Sequence, residues 1–168
     1  KWQDTPYENV QIPVNNNITL SGWLSIVDSD KPIVIIIHGI APNSKAKEES
    51  LLVHNILAKA NINVLNIDLR NYGSSSKTGS FIKLGQTEYQ DVIAAAHWLV
   101  TQKKFHPKQI GVAGLSLGAV TSAIAFSKDD NISALWLDSP FTNFNTMVAH
   151  ELSRYGLVYH SFIKESIN

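Results

Sequence analysis

Gly114-Leu115-Ser116-Leu117-Gly118 has the spacing G-x-S-x-G. Glycine and serine are common, so the pentapeptide alone carries little, and its surroundings carry more. Apolar Ile110-Gly111-Val112-Ala113 precedes it, and Leu117 to Phe126 reads as a helix, so Ser116 is expected on a strand-to-helix turn. Flanking glycines permit a tight, strained turn and a close approach of strand and helix. The hydroxyl would stand at the carboxyl end of a sheet, where open α/β sheets put ligands. Beneath it, a helix N-terminus would offer N–H groups and a dipole that stabilise developing negative charge. This is a setting for nucleophilic attack by serine, and a plain Gly-rich turn accounts for it less well. A second cluster, His38-Gly39-Ile40-Ala41-Pro42-Asn43, directly follows the apolar run Ile33 to Ile37. His38 is a tempting base, but shaping the loop by hydrogen bonding is the better reading of a histidine at that position.

Periodicity supplies the elements that must hold these residues. Tyr7 to Val14 and Ile18 to Val27 read as strands around the polar turn Asn15-Asn16-Asn17. Ile33 to Ile37 is β-branched throughout, as in a strand buried on both faces of a parallel sheet. Ser50 to Ala60 reads as a helix with Val53, Ile56, Leu57 and Ala60 on its apolar face. Asn63 to Ile67 is a strand, Asn71 to Ser76 a loop, and Thr87 to Thr101 an amphipathic helix. After a turn at Pro107, strands Gln109 to Ala113 and Ala134 to Leu137 flank a helix from Leu117 to Ser127, and Asn143 to Tyr155 reads as a further helix. Alternation of strand and helix after residue 32 predicts an α/β fold with a mostly parallel sheet and helices on both faces. Trp23, Trp98 and Trp136 fall within these elements and are expected in the core. Asp91, on the amphipathic helix, is expected to be a surface or capping carboxylate.

Composition narrows the function. With 168 residues the chain can bury roughly 70% of its unfolded surface, enough for one domain. Its 14 Lys+Arg balance 14 Asp+Glu, so no global field draws in nucleic acid, and no nucleic-acid partner is expected. No apolar run approaches the roughly 20 residues of a membrane span. The absence of Cys excludes a thiol nucleophile, thiolate metal sites and disulfides, and leaves the compartment open. The first residue is Lys1, which fits either a removed leader or an excerpt of a longer chain. A nucleotide-binding domain is disfavoured, because there is no G-x-G-x-x-G and no Lys after Gly118.

Four stretches carry a family resemblance. His38 to Asn43 is similar to a His-Gly-Asn-Ala-Gly-Asn loop, with Ile40 and Pro42 as departures. Asp68-Leu69-Arg70-Asn71-Tyr72-Gly73-Ser74-Ser75 resembles Asp-Tyr-Arg-Gly-Tyr-Gly-x-Ser, with Asn71 for Gly. Gly114 to Ala119 resembles Gly-x-Ser-Leu-Gly-Gly, and Leu137 to Thr142 resembles the end of a sixth strand. Together these resemble the α/β-hydrolase superfamily over residues 7–145, and within it the small serine hydrolases called BEM46-like or alpha/beta hydrolase domain-containing proteins. The resemblance implies an α/β-hydrolase fold, with residues 1–142 as its core and 143–168 as the start of a helical cap. It implies Ser116 as nucleophile and the N–H groups of Ile40 and Leu117 as the oxyanion site. Asp68 and Arg70 are expected to brace loops.

Serine needs a histidine base and usually an acid that orients it. In the resembled group the acid generally follows the seventh strand and the histidine the eighth. Asp138, at the end of the sixth, is expected to be structural there, and His150 and His160 to be solvated or packed in the cap. The triad acid and histidine are therefore expected beyond residue 168, along with the last two strands. The expected activity is hydrolysis of a carboxylic ester, thioester or amide, with a small acyl substrate and no metal or organic cofactor. The 168-residue form alone is expected to be inactive or weakly active. The alternative is a non-catalytic binding module of the same fold that lacks a complete triad. A sheet ending at Ala134 to Leu137 would leave an edge open to self-association.

Overall fold

The computed structural model describes residues 5–40, 46–79 and 83–143. The expected helix after Asn143, the cap, and His150 and His160 lie outside the described residues, as do Pro42 and Asn43.

Strands β1 (Glu8–Asn15) and β2 (Ile18–Ser25) form an antiparallel hairpin with Val10 opposite Gly22 and Ile12 opposite Leu20. Strand β3 (Ile33–Ile37) is followed by one short helical turn, α1 (Ala46–Glu49), and by α2 (Leu51–Lys59). Then come β4 (Asn63–Ile67), α3 (Tyr89–Gln102), β5 (Ile110–Leu115), α4 (Leu117–Phe126) and β6 (Ala134–Asp138). A 3₁₀ turn at Pro107–Gln109, capped by His106, leads into β5.

The six strands lie in the order β1-β2-β4-β3-β5-β6. Strands β3, β4, β5 and β6 run parallel, with Ile35 beside both Leu65 and Val112, and Val112 beside Leu135. Strand β2 joins β4 antiparallel. The β-branched run in β3 is central, which is why Ile33, Ile35, Ile36 and Ile37 are all buried. Alternate residues feed two apolar layers. Ile33, Ile35, Ile37, Leu65 and Ile67 pack with Val92, Ala95, Ala96 and Leu99 of α3 and Leu117 and Ala125 of α4. Ile36 and Val64 face Ala58, Val53 and Leu57 of α2 on the other side.

Three expectations about side chains are corrected. Asp91 is fully buried rather than a surface or capping carboxylate. Trp136 is 52% exposed and outside the core, because β6 is the edge strand among the described residues. The face of α2 is also rotated. Its buried residues are His54, Asn55 and Ala58, while Ile56 of the expected apolar stripe is 51% exposed. Val53, Leu57, Val34, Leu135 and Trp136 instead line an apolar groove of about 390 Å³ between α2 and the sheet.

Candidate active site

Ser116 sits between β5 and α4 with φ 51° and ψ −112°, a positive φ that a residue with a side chain seldom adopts. Its N–H donates to the Asp138 carbonyl at 2.8 Å, which ties the turn to the end of β6. Its carbonyl accepts from Ala119 and Val120, starting the helix, while its side chain makes no capping bond to α4. The hydroxyl is thus held on a fixed backbone without being engaged by the helix below it.

The flanking glycines are required by space. A Cβ on Gly114 would overlap Gly118 and Ala119 of α4, and one on Gly118 would overlap the Ile37 and His38 carbonyls. Strand β5, the first turn of α4 and the end of β3 are therefore in backbone contact. A Cβ on Gly39 would lie 3.3 Å from Ser116 Cβ and 3.9 Å from its Oγ. The loop His38-Gly39-Ile40 is thereby brought against the serine, as its sequence position suggests. Leu117 is buried and is the first residue of α4, so its N–H has no partner within the helix. Ile40 follows Gly39 with its side chain 42% exposed.

His38 does bond within the loop. Its Nε2 accepts from the Leu69 N–H at 3.1 Å, and its Nδ1 lies 2.6 Å from the Gly39 carbonyl. Burial holds its pKa below the ordinary histidine value, against opposing pulls from the Gly39 bond and Asp68. The ring packs edge-on to Tyr72, centroids 4.7 Å apart.

Asp68 and Arg70 do brace loops, through partners that sequence reading missed. Asp68 accepts from the N–H groups of Lys47 and Ser74 at 3.0 and 2.9 Å and pairs with the buried Lys47 ammonium. Lys47 also reaches the Ser21 hydroxyl and lies 5.0 Å from the Trp23 ring. Asp91 accepts from the Arg70 backbone at 2.8 Å and from its guanidinium at 2.9 and 2.6 Å. Burial raises the Asp91 pKa, and the Arg70 bonds oppose that rise. Position 91 lies four and eight residues before Ala95 and Leu99 on the buried face of α3. That placement was a readable sign of burial, whereas nothing in the sequence marks Lys47.

Among the described residues, no three His, Asp or Glu side chains converge as metal ligands, and no helix is long and apolar enough to cross a membrane. The groove beside α2 is lined by none of Ser116, Gly39, Ile40 or Leu117. The candidate site is the backbone junction at the carboxyl ends of β3 and β5.

A sheet ordered β1-β2-β4-β3-β5-β6, with a positive-φ serine between its fifth strand and the next helix, defines a class that comparison with known proteins makes explicit. The chain belongs to the alpha/beta hydrolase fold family, whose profile it matches over residues 32–159. It is similar to the Pyrococcus furiosus esterase Pf2001, at 31% identity and a TM-score of 0.77, over 88% of this chain and 56% of that one. Protein bem46 of Schizosaccharomyces pombe is 28% identical over 164 residues, covering 95% of this chain and 52% of that protein. A stretch of the multifunctional-autoprocessing repeats-in-toxin of Vibrio vulnificus is 30% identical over 126 residues, covering 72% of this chain and 2% of the toxin. The chain thus spans about half the length of bem46 and of the esterase. The fold and its esterase neighbours support hydrolase chemistry.

Proposed function

We propose that the whole protein is a serine hydrolase acting on a carboxylic ester, thioester or amide through an acyl-enzyme on Ser116. The observation that carries this reading is the Ser116 backbone, held at positive φ with Gly39 against its side chain. Strain of that kind persists where the surrounding structure enforces it, and it gathers at functional sites. Ser116 Oγ attacks the acyl carbonyl carbon and its proton passes to a base. The tetrahedral oxyanion is held by the N–H groups of Ile40 and Leu117, each donor being worth ~3 kcal/mol of barrier. The alcohol, thiol or amine departs with the proton, and water then attacks the acyl-enzyme to release the acid. The base and its acid belong to the portion of the relatives that this chain does not span.

A fluorophosphonate probe tests the reading. It should label Ser116 in the complete protein, and Ser116→Ala should abolish the labelling. The 168-residue chain should label slowly or not at all. A complete protein that resists the probe and hydrolyses no ester, but retains a bound acyl compound by calorimetry, would instead be a binding module of this fold.

A further inference from the structure

We propose that His38 is a positioning residue for the oxyanion site: its ring ties the Gly39 carbonyl to the Leu69 amide and so orients the peptide that carries the Ile40 N–H. The proposal rests on the serine-hydrolase reading and concerns how that site is held.

The Leu69 N–H donates to Nε2 at 3.1 Å, so Nε2 presents its lone pair and carries no proton. The neutral ring is then protonated at Nδ1, which donates to the Gly39 carbonyl at 2.6 Å. The Gly39–Ile40 peptide is planar and trans, so its C=O and N–H point to opposite sides. Fixing the carbonyl of Gly39 fixes the direction of the Ile40 N–H. Such a restraint is needed here. Gly39 lies closely against Ser116, and a glycine has the widest backbone freedom.

The anchor is rigid. Leu69 is fully buried beyond the end of β4, and His38 is only 1% exposed beneath Tyr72. The nearby charges, Lys47 and Asp68, are paired with each other. A proton added at Nε2 would set two donors face to face against Leu69, so the ring works as a neutral brace.

Two substitutions in the complete protein separate the two ring nitrogens, with a p-nitrophenyl ester as probe. His38→Gln can still accept from Leu69 but places no donor at the Nδ1 position. Its kcat should fall roughly tenfold or more with KM changed by less than about twofold. His38→Asn places an amide N–H at the Nδ1 position and should recover about fivefold of that loss. His38→Asn leaves the buried Leu69 N–H without an acceptor, so it should melt below His38→Gln while being the more active of the two. Equal losses of kcat in both, or wild-type kcat in His38→Gln, would overturn the proposal. Two-bond ¹H–¹⁵N spectra of histidine-labelled protein give a readout independent of Ser116, and should show His38 protonated at Nδ1 alone near neutral pH. The opposite tautomer would overturn the proposal even in an active hydrolase. The expected tautomer in a protein that neither hydrolyses esters nor labels at Ser116 would instead remove the serine-hydrolase reading, and the oxyanion role of His38 with it.

Discussion

At φ 51° and ψ −112°, the Ser116 backbone sits where a residue with a side chain loses on the order of 1–3 kcal/mol. Glycine would adopt this conformation without a steric penalty, at some entropic cost in the unfolded chain. Ser116→Gly should therefore be about 1 kcal/mol more stable than Ser116→Ala, by urea denaturation of the complete protein, with both lacking hydrolase activity. Equal stabilities would mean that the turn stores no strain. Ser116 is legible in the sequence because Gly114 and Gly118, at fixed offsets from it, announce a backbone that comes too close for a Cβ. The ion pairs behind them are not. Lys47–Asp68 and Arg70–Asp91 each join residues 21 positions apart, and a lone charged residue reads by default as a solvated one. Only their burial shows them as internal braces, and removing one partner of such a pair leaves an uncompensated charge inside.

Helix α2 and strand β6 share a wall. Val53 and Leu57 on the helix, with Leu135 and Trp136 on the strand, face the same apolar groove. Periodicity identifies which residues share a face, but it does not tell what lies across from them. That is why the expected strands and helices that fall on described residues are found within a residue or two of their expected ends, whereas the turn Ala46–Glu49 and the exposure of Ile56 and Trp136 are not anticipated. A strand edge beside an exposed tryptophan is a template for pairing. The 168-residue chain should self-associate in sedimentation velocity as its concentration rises. Trp136→Lys should weaken that association roughly tenfold to a hundredfold, since burying a large apolar side chain is worth roughly 1.5–3 kcal/mol. A wild-type chain that stays monomeric throughout would show that this edge does not recruit a second copy.

Across the whole molecule, two buried histidines make stability depend on pH. Burial lowers the pKa of both His38 and His54 from the ordinary 6.5. Ser25 Oγ donates to the Pro6 carbonyl at 2.7 Å, so His54 Nε2 must donate to Ser25 Oγ at 2.8 Å. That leaves His54 Nδ1 buried without a partner among the described residues, with the Tyr7 ring beside it. Below pH 6.5 the unfolded chain binds protons that the folded one refuses. Stability is therefore full above 6.5 and is lost as pH falls from there toward the lower native values. The urea midpoint should drop as pH falls below about 6.5, and less steeply in His54→Gln, whose amide can still donate to Ser25. Identical slopes would place the titration elsewhere.

The sheet order has a consequence for how the chain is made. Strand β3 lies between β4 and β5, and its second neighbour begins only at Ile110. Ribosomes add about 5–20 residues per second, so the all-β-branched Ile33–Ile37 strand waits on the order of ten seconds for β5 to be synthesised. Through that interval the future centre of the molecule is an open apolar edge. It is in the nascent chain that this strand is open to wrong partners.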